Sequence, residues 1–210
     1  MKAVFRYTWR RASEAAINSR LHHSQTHFLT DKAMDIQHIF LTQFVLSVVV
    51  FSLIARWYFL PWTVSKSTQQ ALVPLVVPHM FRYIGLAFLV PHLVGSSMRG
   101  DFAVAAAYGD LASALLAMLA VFALRYEWRI SIPLVWLFNI VGSFDLVNAI
   151  RQVDVVPQLG VVRFIPTFVV PVLVVTHFMI FARLFSYALR PADFVTSHRA
   201  APGNPTQLNH

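Results

Sequence analysis

The sequence predicts an all-α, polytopic membrane protein with five transmembrane helices in a bundle, and three observations carry that prediction. The composition is 57% hydrophobic and only 12% charged, which is that of a membrane chain. Its apolar residues run in blocks of about 20, the length a helix needs to cross the hydrocarbon. None of the blocks alternates at period two, as barrel strands do.

The first block, Ile36 to Ala55, carries no Lys, Arg, Asp or Glu. Leu72 to Gly95, Phe102 to Leu124, Ile130 to Ile150 and Phe164 to Ala182 follow, bounded by Arg99, Gly100, Arg125, Glu127, Arg151 and Arg163. A secretory signal peptide does not account for the first block, which starts late and lacks a small-x-small cleavage site before Trp57 and Trp62. The absence of cysteine removes disulfides, thiolate metal sites and cysteine nucleophiles together. The net charge of +8 is spread over tails and short loops, without the basic, aromatic-interleaved stripe of a nucleic-acid face. The expected partner is therefore the lipid bilayer, and no nucleic acid.

Residues 1–33 form a basic leader rich in Ser, Thr and His that ends just before Met34, an alternative start. On that reading the leader is either an upstream extension foreign to the native protein or a peripheral segment lying on anionic lipid. Residues 34–190 form the transmembrane domain, and 191–210 are a polar, Pro-containing tail expected to be disordered. Five spans place the two ends on opposite sides. Counted from Met34, one side holds Arg99, Arg151 and Arg163; the other holds Arg56, Lys66, Arg125, Arg129, Arg183, Arg190 and Arg199. Seven against three puts the C-terminus in the cytoplasm, whereas the leader would turn the balance to nine against seven the other way. Trp57, Tyr58, Trp62, Tyr126 and Trp128 gather at one membrane face, where indole and phenol rings favour the headgroup layer.

The polar groups inside the spans define a candidate site. In the third span, Ala103, Ala106, Asp110, Ser113, Ala114 and Ala117 share a small-residue face, opposite Leu111, Leu115, Met118 and Phe122. Small residues let helices approach closely in lipid, so Asp110 points inward, with Tyr108 counted beside it in the polar core. The second span places His79, Arg82, Tyr83 and Leu86 on one face, with Pro91 expected to kink it and His92 turned away. Ions inside a membrane pair or face water, and Arg82 with Asp110 is the natural pair.

In the fourth span, Asn139, Gly142, Asp145 and Asn148 recur at intervals of three, winding along an inclined ridge that a crossing neighbour can meet. Close approach at Gly142 and hydrogen bonds from the two Asn account for three of them. Asp145 is left over once Arg82 is assigned, and a desolvated carboxyl without a cation is expected to titrate above its reference of about 4. The fifth span carries His177 at the level of His79, which makes a bis-histidine haem geometrically allowed. Hydrogen-bonded histidines are the simpler expectation, so no cofactor and no metal are assigned.

The stretches "HMFRYIGLAFLVP", "FAVAAAYGDLASALLAML", "PLVWLFNIVGSFDLVNA" and "IPTFVVPVLVVTHFMIF" together resemble a group of small, uncharacterised bacterial integral membrane proteins. The resemblance covers about Met34 to Arg183 and implies a bacterial inner-membrane location. It brings no activity and no catalytic residues. No phosphate loop, HExxH, Gly-x-Ser-x-Gly or dinucleotide fingerprint occurs. The residues thus favour a buried polar site for small-polar-solute binding and transport, or for proton relay. An embedded enzyme with an Asp, His and Arg acid–base site, a haem-binding electron carrier and a structural partner subunit are the alternatives. The odd number of spans favours a homo-oligomer over a self-contained inverted-repeat transporter.

The charge bias makes one outcome testable. A reporter fused at Leu189 is expected to be active when it requires the cytoplasm and silent when it requires the periplasm; the reverse pattern would overturn the orientation.

Overall fold

The computed structural model describes residues 36–189. The leader 1–33, the tail 191–210 and the outermost residues of the 34–190 domain lie outside the described residues. Among the described residues five helices are long and apolar enough to cross a membrane: α1 (Ile36–Thr63), α2 (Thr68–Leu89), α3 (Gly100–Arg125), α4 (Ser131–Ile150) and α5 (Gly160–Ala188). The described residues contain no strand. The protein is an all-α, multi-pass membrane protein.

A Ser67 capping box starts α2: Gln70 N donates to Ser67 Oγ at 3.2 Å while Ser67 N donates to Gln70 Oε1. Two orphan N–H groups of the first turn are thereby satisfied. The helix is α-wound only through Thr68–Val76; from Val77 to Leu89 it is a 3-10 helix. The change falls beside Pro78, which has no N–H to return to the preceding turn. Three residues per turn put every third side chain on one straight face, and the buried residues of this stretch are His79, Arg82, Gly85 and Phe88.

This winding corrects two expectations. Tyr83 does not share the face of His79 and Arg82; it falls off the three-residue row and is exposed. Pro91 introduces no kink, because α2 has already ended at Leu89 and Val90 is extended, as the residue before a proline prefers.

The small face of α3 is its packing face: Ala103, Ala106, Ser113, Ala114 and Ala117 are buried, while Leu115 and Phe122 are exposed. At the opposite end of α3 from Gly100, the chain turns through Glu127, whose φ of 53° is left-handed, and Trp128 N reaches back to Ala123 O at 2.9 Å. That closes the helix end in the manner of a Schellman motif.

At the Arg99 end the two connections lock together. Gly95 N donates to Gln158 O at 2.8 Å and Val161 N donates to Leu93 O at 2.9 Å. Gly160, at φ +54°, permits this, since a Cβ there would stand 2.8 Å from Leu93 O. Arg99 adds exposed ion pairs to Asp101 and Asp154 at 2.8 and 2.9 Å, which draw its pKa still higher, though exposed pairs contribute little stability. The 153–163 connection becomes a cap over that end of the bundle.

Helices α2 to α5 pack around two apolar clusters stacked along the bundle axis. One, towards the Trp128 end, contains Leu72, Leu75, Val135, Phe138, Ile180 and Leu184. The other, under the cap, contains Phe88, Phe102, Ala106, Val156, Leu159 and Ile165. Between them, on all four helices, lies a polar layer. Helix α1 is the least enclosed: none of its membrane-spanning window is buried, and it is attached through Ile36 and Phe40 under the cap, the edge contact of Phe51 with Phe168, and Phe59 against the cluster at the other end. Trp57, Tyr58, Trp62, Tyr126 and Trp128 are all exposed at the end opposite the cap.

Candidate functional site

The polar layer is built on Arg82, which is 2% exposed. Its Nε donates to Asp110 Oδ1 at 2.8 Å, its Nη2 bonds Asp145 Oδ2, and its Nη1 donates to the Gly142 carbonyl at 3.0 Å. The side chain therefore ties α2 to α3 and α4 at once. Asp145 is not a leftover carboxylate, which is the main correction to the sequence reading. Pairing in twos misjudged a planar fork that presents N–H groups in several directions and can serve two acids together.

Glycines make the close approach feasible. A Cβ on Gly85 would overlap Asp110 Oδ2, and one on Gly109 would overlap Asp145 Oδ1. Gly142 is close but less crowded, with 3.1 Å from a would-be Cβ to Arg82 Nη1 and 3.0 Å to His177 Cε1. Each partner in the triad thus lies against a backbone stripped of its side chain. Gly85 and Gly109 were missed in the sequence. Their signal was available, Gly85 three residues after Arg82 and Gly109 beside Asp110.

On the far side of Arg82 the two histidines meet, their ring centroids 4.2 Å apart. The rings are tilted by 58° to each other and do not bond to each other. His79 Nε2 lies 2.9 Å from Thr176 Oγ1, whose own proton is directed to the Val172 carbonyl at 2.8 Å, so the imidazole is the donor. His177 Nδ1 donates to Asn139 Oδ1 at 2.6 Å, and Asn139 Nδ2 returns a bond to the His177 carbonyl at 3.4 Å. The other ring nitrogens, His79 Nδ1 and His177 Nε2, are buried and have no partner among the described residues. In neutral imidazoles with these tautomers both are lone-pair acceptors.

Of the nine polar-core residues expected from sequence, six come together: His79, Arg82, Asp110, Asn139, Asp145 and His177. Tyr83, Tyr108 and Asn148 do not; all three side chains are exposed. For Asn148 the reason is the drift of a three-residue row around an α-helix of 3.6 residues per turn. Thr176 enters the layer unforeseen, carried by its position beside His177.

Under the cap, a cavity of about 160 Å³ opens against the triad. Its walls are mostly apolar, with Phe40 and Phe44 from α1, Phe88, Phe102 and Leu159, and its polar lining side chains are Arg82, Asp110, Asp145 and Gln152. The aspartate side chains are 17% and 18% exposed while the guanidinium side chain is 1% exposed, so what the cavity meets is carboxylate. Among the described residues no group of three or more His, Asp or Glu side chains is placed to hold a metal ion.

A family model described as a domain of unknown function, DUF8737, matches residues 39–185. The chain belongs to this family. The DUF8737 match takes in all of α2, α3 and α4, the cap, and α5 as far as Phe185, and hence the triad and the histidine pair. No curated protein and no solved structure matches the chain.

Two outcomes follow from the triad. Arg82→Met alone leaves two buried carboxylates without their cation and is expected to destabilise the protein by about 3–5 kcal/mol, with Asp110→Asn and Asp145→Asn added to it restoring most of the loss. Unfolding in lipid nanodiscs measures both, and a fully stable Arg82→Met would remove the triad from any central role. Gly85→Ala and Gly109→Ala are each expected to weaken the fold by more than about 1 kcal/mol, whereas Gly100→Ala, with open space around its Cα, changes it by less than about 0.5 kcal/mol.

Proposed function

We propose that the protein binds a small molecule with an apolar body and a polar end, held in the cavity under the cap with its polar end at Arg82, Asp110 and Asp145. The observation that carries this reading is a buried ion triad opening onto an apolar cavity. Pockets for small molecules combine mainly apolar walls with a few convergent polar groups, and the walls here favour an amphipathic ligand over a wholly polar solute. On this reading the protein works in a bacterial inner membrane, as the family resemblance implies, with its C-terminus in the cytoplasm, which the seven-to-three charge bias supports, and as an assembly of identical chains in lipid without nucleic acid. No haem is part of this reading: axial imidazoles flank the iron from opposite faces of the macrocycle, and rings in tilted contact at 4.2 Å leave no space for one between them.

A proton-relay reading has its own support in the unpartnered His79 Nδ1 and His177 Nε2. They continue the polar layer from Asp145 through Arg82 towards the far half of the bundle. Two carboxylates and one guanidinium leave one negative charge over, which a proton can balance. On this reading the ligand and the proton share the triad, and binding of one is linked to the other.

Native mass spectrometry of protein extracted into nanodiscs tests the binding reading and reports subunit number at once. The wild type is expected to retain an adduct of constant mass, and Ala149→Trp, which fills the cavity wall, is expected to lose it while remaining folded. An adduct that survives Ala149→Trp, or a bare chain in both samples, would sink the reading.

A further inference from the structure

We propose that the occupant of the cavity is a lipophilic cation, a molecule whose apolar body ends in a protonated amine that carries N–H donors. This rests on the reading that the cavity is a binding site, and it names the class of ligand.

The first ground is the charge that the cavity meets. Arg82 is the single Lys or Arg side chain within hydrogen-bonding reach of Asp110 and Asp145 among the described residues. Its charge is divided between both, and it is the covered member of the three. An arriving carboxylate or phosphate would find the guanidinium flanked by two acids, so like charges would face each other at low dielectric. An arriving cation would find a site one positive charge short.

The second ground is the balance of hydrogen-bonding groups. Asp110 Oδ2 and Asp145 Oδ1 accept no bond from any described residue. The free nitrogens of His79 and His177 lie behind Arg82, do not line the cavity, and take no part in this balance. At the carboxylate face that the cavity meets, acceptors are therefore in excess. Buried polar groups are ordinarily satisfied, and an ammonium head, with several N–H donors and no acceptor, matches this excess where a hydroxyl or an acid does not.

The third ground is the wall opposite. Phe40, Phe44, Phe88 and Phe102 line the cavity, and aromatic faces attract cations as well as alkyl groups. Helix α1, which supplies Phe40, Leu41 and Phe44, is the least buried of the five. A molecule dissolved in the bilayer meets this wall first.

The test uses the full-length protein in phosphatidylcholine nanodiscs, titrated with octylamine, octan-1-ol and octanoate, with the unfolding temperature as readout and Ala149→Trp as the background for partitioning into lipid. Near neutral pH the amine is protonated and the acid ionised. Octylamine is expected to bind at least about tenfold more tightly than octan-1-ol, and octanoate is expected not to act above background. Asp145→Asn should keep the response to the alcohol and bring the amine to within about twofold of it; Asp110→Asn serves the same purpose should the first variant fold poorly. Equal binding of amine and alcohol, or tightest binding of octanoate, overturns the cationic assignment and leaves the cavity reading standing. No response to any of the three beyond Ala149→Trp overturns the cavity reading and the assignment together. Replacing part of the lipid with phosphatidylethanolamine separates two sources of the same chemistry. A weaker octylamine response then assigns the site to an ammonium headgroup and an unchanged one to a free amine, both upholding the charge.

Discussion

A guanidinium cannot be left unpaired in the middle of an apolar bundle, and the way Arg82 is satisfied governs the packing of four helices. Its fork reaches α3 through Asp110 and α4 through Asp145 and the Gly142 carbonyl, while the two histidines behind it bring in α5 through Thr176 and Asn139. For the fork to reach, the backbones must close in. That is why Gly85 and Gly109 sit where a Cβ would collide with Asp110 or Asp145, why Gly142 lies close against Arg82 and His177, and why α3 presents alanine to its neighbours above and below the layer. The apolar clusters on either side are then fixed in register by the polar layer between them.

The fold was legible because it rests on a large and simple signal. Uninterrupted apolar length predicts spans, and all five appeared, with the ends shifted where the helices extend past the uncharged cores. The inward turn of Asp110 was also legible, since small residues at helical spacing mark a face. What the sequence obscured was winding. A row at intervals of three reads as a drifting ridge on an α-helix, and α4 behaves so: Asn139, Gly142 and Asp145 reach inward in succession and Asn148 has already turned away. The same interval in His79, Arg82, Gly85 and Phe88 is a straight inward face, because Val77–Leu89 winds as a 3-10 helix. Reading α2 with an α-helical wheel put Tyr83 inside. Runs of 3-10 helix this long are uncommon, and nothing in residue spacing alone distinguishes the two windings.

The pairing of Arg82 with Asp110 was legible too, and what failed, for a different reason, was leaving Asp145 without a partner. Counting one cation against two acids gave the correct sum, but assigning partners in pairs forced a remainder. The geometry distributes the imbalance over three side chains. Neither acid is the odd one, and the surplus charge belongs to the cluster as a whole, as coupled groups require.

That surplus bears on whether the triad is only a packing device. Holding two helices together takes one carboxylate opposite one arginine, and a second buried acid without a second cation adds a desolvation cost that packing does not require. A purely structural cluster would also be enclosed on every side by close-packed apolar residues, as interiors generally are. Here the two carboxylates, and not the guanidinium, border a cavity, and the helix completing its outer wall is the one with the least burial. An uncompensated charge, the space beside it and a loosely held wall are separate features of sequence and packing. Stability alone would select against each of them, and a bound partner that supplies charge and fills the space accounts for all three.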